Sequence, residues 1–448
     1  MLNALQNTVK IPELRRRLLI TFGLLILYRL GIVITLPGVD AELLAEMAKQ
    51  NSGGGFGQVM QFASMVTGGA LQSCTLFALG IMPYISASII FSLLVKVIPK
   101  LEALSKEGES GRRAITQYTR YMTVGLCLIQ SFFIIGWLQT PVGGDRSLII
   151  GEPGLWFWFR TVLALTTGTV FLMWVGEQIT EFGIGNGISL IIMAGIIAAM
   201  PASFWQFIQN IETARAAGEN VPLEVLKFGG FLVMFVGVCV SVVIMQLGQR
   251  RIPIQQQKHT RGRRVYGGQR HYLPLKVNSA GVMPVIFAQS LVILPTALFT
   301  ALGWRTLVDI LSSPSGFWYI TLQIFLVFFF TYFWTSLTFN PVEMASNMKE
   351  YGSFIPGIRP GRKTADYLEQ IMNRITLVGS AFLAAITVLP TIAAGVLNIN
   401  MMLASFLGGT GILIVVGVAL DIVQKVESHL LMRHYEGFMK SGRTKGRR

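Results

Sequence analysis

The sequence predicts an all-α polytopic membrane protein: ten transmembrane helices in two inverted five-helix halves. Three observations carry this reading. Only 13% of the 448 residues are charged and 52% are hydrophobic, against roughly 25% charged in an ordinary soluble domain. So thin a charged coat does not keep a water-soluble globule dispersed, and an aromatic content of 11% excludes disorder. Apolar runs of spanning length recur ten times. Lysine and arginine crowd into alternate loops, as the positive-inside rule requires of a multi-span protein.

The first span is Leu18 to Leu36, directly after Arg15-Arg16-Arg17. Nineteen residues rising about 1.5 Å each reach roughly 28 Å, close to the hydrocarbon thickness. No small-residue cleavage site intervenes before Pro37, so the run reads as a span and not a removable leader. Further spans are expected at 74–98, 121–138, 155–176, 188–207, 228–247, 282–302, 317–337, 375–393 and 402–423. Long apolar runs become helices because lipid offers the backbone no partner. The alternating ten-residue pattern of a membrane barrel is absent.

Orientation follows from the loops. The six segments on one side hold 4, 5, 0, 8, 5 and 7 Lys and Arg, 29 in all, against 5 on the other. With 12 acidic residues on the first side and 9 on the second, the balance is +17 against −4. The first side is therefore cytoplasmic, with both termini inside. All eight tryptophans lie near span ends, as an interfacial belt. Ten spans divide as five and five, and the second half starts from the opposite side, which permits an inverted repeat. The expected organisation is an N-terminal half 1–200, an external hinge loop 201–227, a C-terminal half 228–423 with basic loops 248–280 and 338–374, and a basic tail 424–448.

The spans are nearly bare of charge. Lys96, Asp421 and Arg160 lie near span ends, and only Arg29 sits at depth. Its expected role is structural, reaching outward or to a backbone carbonyl. Without a carboxylate pair, an HExxH or a Ser/His/Asp set at depth, proton-coupled transport and intramembrane proteolysis are disfavoured, and no enzyme is expected. Cys74, Cys127 and Cys239 lie in apolar runs and read as packing thiols. His259, His271, His429 and His434 lie in basic polar stretches, so neither a metal nor a cofactor is expected. Gly183-Ile-Gly185-Asn-Gly187 reads as a tight turn entering span five, because a phosphate loop would need a preceding strand and a following lysine.

Five longer motifs are more specific. They are TLFALGIMPYISASII at Thr75–Ile90, GESGRRAITQYTRY at Gly108–Tyr121, GEQITEFGIGNGISL at Gly176–Leu190, GRRVYGGQRHYLPLKVNSAGVMPVIFA at Gly262–Ala288 and FNPVEMASNMKEYGSFIPGIRPG at Phe339–Gly361. In this order the chain resembles the SecY family, the central subunit of the bacterial-type Sec protein translocation channel. The resemblance covers nearly the whole chain.

It implies a central pore in the plasma (inner) membrane, passing unfolded secretory polypeptides and releasing hydrophobic segments sideways. A pore ring is implied at Ile81, Ile85, Ile188, Ile192, Met283 and Ile414. Such an apolar constriction is dry to ions yet yields around a moving chain. On spacing alone, isoleucines four apart are ordinary core packing; Met283 departs from the isoleucine-like residue usual in the ring. A short plug helix is implied within 53–69, with Phe56, Val59, Met60, Phe62, Met65 and Val66 between bracketing glycines. A lateral gate between spans two and seven would use Ser86, Ser88, Asn278, Ser279, Gln289 and Ser290, where ordinary interhelical hydrogen bonds are an equal reading.

The basic loops carry the implied docking surface for the SecA ATPase or a ribosome: Arg250, Arg251, Arg261, Arg263, Arg264, Arg359, Arg362 and Lys363. From Gly248 to Ala280 there are eight basic and no acidic residues, which suits ribosomal RNA phosphate or anionic lipid head groups. Further implied partners are SecE, SecG, signal sequences and nascent polypeptides. A secondary transporter for small solutes is the main alternative, and the bare spans and basic inner face favour the channel.

Overall fold

The computed structural model describes residues 11–40, 43, 67–71, 73–139, 148–150, 154–216, 221–257, 259–261, 264–266, 270–288, 291, 304, 316–397 and 410–441. The chain divides into two compact units, Met1–Asn210 with Val418–Arg448, and Ile211–Gly417.

In the first unit the helices are α1 (Pro12–Gly31), α2 (Met82–Val97), α3 (Pro99–Lys106), α4 (Glu109–Leu138), α5 (Leu155–Phe182) and α6 (Gly187–Ala216). Proline in the first turn starts α1, α2 and α3, where its missing N–H is not needed. The chain bends by 100° between α2 and α3. Leu36, Leu71, Cys74, Leu79, Cys127, Ile135, Phe157 and Leu165 belong to the buried core.

The second unit holds α7 (Val221–Leu247), β1 (Gln249–Gln256), β2 (His259–Arg261), β3 (Arg264–Tyr266), β4 (Arg270–Lys276), α8 (Phe317–Thr338), α9 (Pro341–Glu350), β5 (Ser353–Phe354), α10 (Arg362–Leu397) and the start of α11 (Thr410–Ser441). Val238, Val242, Val285, Leu326, Val327, Leu383, Ile386, Ile412 and Leu413 form an apolar core drawn from five expected spans.

Among the described residues, Glu109–Gly136, Leu155–Phe182, Phe317–Glu350 and Arg362–Pro390 are each long and apolar enough to cross a bilayer. The helices named above overlap nine of the ten expected spans among the described residues, all but span seven. Span seven is described only at 283–288, which is helical, and at 291.

Three differences from the sequence reading have physical causes. Span two is not helical from 74: its helix starts at Met82. Cys74 at φ 39° and Gly80 at φ 58° break the helical path, and the Thr35–Thr75 bridge takes the backbone bonds elsewhere. Span one is helical over Pro12–Gly31, earlier than 18–36, because 34–36 exchange hydrogen bonds with 74–76. The basic loop 248–280 is not a plain connection. β1 pairs antiparallel with β4 from Gln249↔Lys276 to Gln255↔Arg270, and β5 adds to the other edge of β1. Ile252 and Ile254 alternate with the exposed Arg251 and Pro253 and pair with Leu273 and His271, the period-two burial of a half-buried strand.

Candidate functional site

The stretch 67–81 is an irregular segment among the described residues, and over 74–81 it replaces the start of the helix expected for span two. Ala70, Cys74, Phe77 and Ala78 are all buried. Short-range hydrogen bonds run within it, from Ala70 N–H to Thr67 O, Thr75 N–H to Ala70 O and Gly80 N–H to Phe77 O, while Cys74 O and Leu76 N–H bond to Leu36 and Ile34. Phe77 stacks between Tyr28 of α1 and Phe171 of α5, with ring centroids at 6.3 and 6.0 Å. Two groups of α1 reach its start. The Tyr28 hydroxyl donates to Thr67 O at 3.3 Å, and Arg29 Nη1 donates to Gly68 O at 3.3 Å. The backbone carbonyl expected for Arg29 is thus Gly68's. Gly68 has φ +67°, and a Cβ there would lie 2.9 Å from the Cα of Gly195 on α6, so the site needs glycine twice over.

This segment delivers Ile81, which is the N-cap of α2 and not a member of its helix as the spacing implied. Its carbonyl accepts from Ile85 N–H at 3.1 Å, so the two remain one turn apart. Ile81 and Ile85 are 3% and 7% exposed. On α6, Ile192 is buried at 5% and Ile188 is half-buried. The Ile188 side chain lies against Gly176 of α5, at 3.1 Å from where its Cβ would be, so this residue also packs a helix seam. In the second unit Ile414 is 6% exposed, whereas Met283 is 38% exposed beside the core residues Val282 and Val285.

The turn into α6 is built as the glycines suggested. Gly185 has φ +94°. Asn186 Oδ1 accepts from the N–H groups of Ile188 and Ser189 and caps the helix. Thr21 of α1 accepts from Ile184 N–H at 3.2 Å, and Thr180 of α5 from Gly187 N–H at 2.9 Å.

The expected gate residues separate into groups. Ser86 and Ser88 are half-buried on α2. Asn278 and Ser279 are not on span seven: they occupy the turn after β4, before the helix at 283. The turn places Asn278 Oδ1 in a buried position with no hydrogen-bond partner among the described residues. Gln289, Ser290 and the plug residues Phe56, Val59, Met60, Phe62, Met65 and Val66 lie outside the described residues.

The two basic loops form one body. Ile252 and Leu275 of the sheet share a core with Ile355, Leu368, Ile371, Met372 and Ile375 from the second loop and α10. This platform carries the charges outward: Arg250, Arg251, Arg359, Arg362 and Lys363 are all exposed. Thr364 Oγ1 donates to Arg359 O at 3.0 Å and fixes the backbone there. Arg261 and Arg264 are register partners across the β2–β3 hairpin. Arg263 lies outside the described residues.

Sequence reasoning passed over Tyr28, Gly168 and Gly195. A Cβ at Gly168 of α5 would run into the Leu76 carbonyl. Glycine within an apolar span was the available signal, since small residues there mark close backbone approach.

A model of the SecY family matches residues 75–423. The protein translocase subunit SecY of Thermotoga maritima is 40% identical over 449 residues, covering 100% of both chains. The solved structure of a protein conducting channel matches with a TM-score of 0.65 at 19% identity, over 92% of each chain. Sec61 in the canine ribosome-channel complex from the endoplasmic reticulum matches with a TM-score of 0.61 at 18% identity, again over 92% of each. Those structural likenesses give the fold, the full-length identity gives the kinship, and this multi-pass membrane chain belongs to the SecY family.

Proposed function

We propose that the chain is the pore-forming subunit of a protein-conducting channel in the bacterial plasma membrane, with both termini in the cytoplasm. It passes unfolded secretory polypeptides across the membrane and lets hydrophobic segments leave sideways into lipid. It has no chemistry of its own; SecA or a translating ribosome supplies the drive. SecE and SecG complete the channel, and signal sequences open it. The observation that carries this reading is membership of the SecY family along the full chain.

The residues support each part. Ile81, Ile85, Ile188, Ile192, Met283 and Ile414 supply an apolar ring, which excludes hydrated ions because no side chain there replaces their water. Residues 53–69 supply the plug, and spans two and seven the gate. The exposed arginines of the platform offer phosphate-binding charge to ribosomal RNA, to anionic lipid and to the acidic face of a motor.

Reconstitution tests the proposal. Vesicles containing the chain with SecE and SecG should take up a secretory precursor when SecA and ATP are added. Failure to import any precursor, together with accumulation of a small solute down an ion gradient, would instead make the chain a secondary transporter.

A further inference from the structure

We infer that Arg29 and Tyr28 are positioning residues for the resting seal: by gripping the Thr67–Gly68 junction they hold both isoleucine pairs of the first unit in place. The inference rests on the ring reading of those isoleucines.

Arg29 is the one charged side chain at depth in the expected spans. A charge in that position is functional by default, and the first question is what partners it. Its partner here is a backbone carbonyl, Gly68 O, at 3.3 Å. The preceding side chain, Tyr28, takes the neighbouring carbonyl, Thr67 O, at the same distance. Irregular backbone is tolerated at membrane depth only where protein groups satisfy it. Two consecutive residues of α1 do so for two consecutive peptide groups.

The gripped junction is wedged on its other sides. A Cβ on Gly68 would come within 2.9 Å of the Gly195 Cα, so α6 backs the junction directly. Gly195 lies three residues after Ile192, on the same helix face. The Thr67 side chain meanwhile reaches Gly80, whose Cβ would lie 2.7 Å from Thr67 Cγ2. Gly80 is the residue before Ile81. One junction therefore touches the turn below Ile192 and the peptide leading into Ile81. If it shifts, the isoleucines of α2 and α6 lose their common reference. If it is held, they are held together.

A purely structural role would lower the amount of assembled protein and leave the permeability of what assembles unchanged. The positioning role changes permeability. The test uses the full chain reconstituted with its partner subunits, reading resting ion conductance and import of a precursor with a weakened signal sequence. Arg29→Met should raise conductance several-fold and admit the weakened precursor at unchanged protein level. Arg29→Lys, which keeps the charge and one donor, should return both readouts toward wild type. Tyr28→Phe, which removes one hydroxyl and no volume, should give a smaller rise. Should Arg29→Met fail to accumulate, Tyr28→Phe decides: a rise supports the inference and a sealed channel overturns it. A serine variant of Ile81, Ile85, Ile188 and Ile192 runs alongside. If it leaks while Arg29→Met and Tyr28→Phe stay sealed, this inference alone falls. If it too stays sealed, the ring reading falls with it.

Discussion

Arg120 and Glu177 meet as a fork: Nε donates to Oε1 at 2.9 Å and Nη2 to Oε2 at 2.7 Å, joining α4 to α5. Both oxygens and both donors are used, the arrangement that makes arginine–carboxylate pairs stronger than single contacts. The side chains are 45% and 22% exposed, so solvent still screens the pair. Arg120→Glu and Glu177→Arg should each lower the thermal unfolding temperature of the purified protein. The swapped double variant should recover part of the loss, with a coupling of about 1 kcal/mol. An additive double-mutant cycle would mean that the fork contributes nothing.

The ring reading makes a prediction about ions. Replacing Ile81, Ile85, Ile188 and Ile192 by serine should raise the resting conductance of reconstituted channels, because hydroxyl groups give water a foothold in a dry constriction. Ile188 also packs on Gly176, so its single variant should lose stability as well as tightness. Single-channel recording that finds unchanged conductance in the fourfold variant would remove the ring.

Arg359 tests the docking surface. Its side chain is exposed and its carbonyl is tied to Thr364, so replacing the side chain leaves the loop in place. Arg359→Glu should reduce SecA-dependent export in a vesicle assay while leaving the melting temperature near wild type. Normal export by this variant would take Arg359 off the surface.

The β2–β3 hairpin tests the proposed ribosome interaction. Neutralising Arg261, Arg263 and Arg264 should weaken ribosome binding and flatten its salt dependence, by about 0.7 to 0.9 in the log–log slope for each phosphate no longer neutralised. Binding measured over a range of salt gives the slope directly. Equal affinity and slope for the variant would leave those charges a purely topological role.

Helix positions were legible in several of the long apolar runs, because lipid leaves a long apolar run one solution. α5 and α8 begin where the runs begin, at Leu155 and Phe317. The first eight residues of span two were not legible. TLFALG has helical composition, and only the fold reveals that the Cys74 carbonyl and the Leu76 N–H bond to Leu36 and Ile34 of span one. The sheet in the basic loop was hidden for a different reason. β1 contains Pro253 and β4 contains Pro274, and a proline argues against a strand except at an edge, a first position or a bulge. Arg29 was legible as a misfit, but its partner was not, since Gly68 offers only a carbonyl and carbonyls leave no mark in a sequence. The charged surface was legible as an excess of arginine; that its two loops fold together was not, because their shared core is spread over some hundred residues of chain.

That spread has a consequence for biogenesis. Ile252 and Leu275 emerge early, while Ile355, Leu368 and Ile371, which cover them, emerge about a hundred residues later. At roughly 5–20 residues per second, the first strands wait on the order of 5–20 s for their cover. In the orientation proposed above, the next two spans enter the membrane during that interval while a bare, strongly basic hairpin waits on the cytoplasmic side. The platform is therefore completed late, and nascent chains stalled before residue 355 should carry this hairpin in a protease-sensitive form.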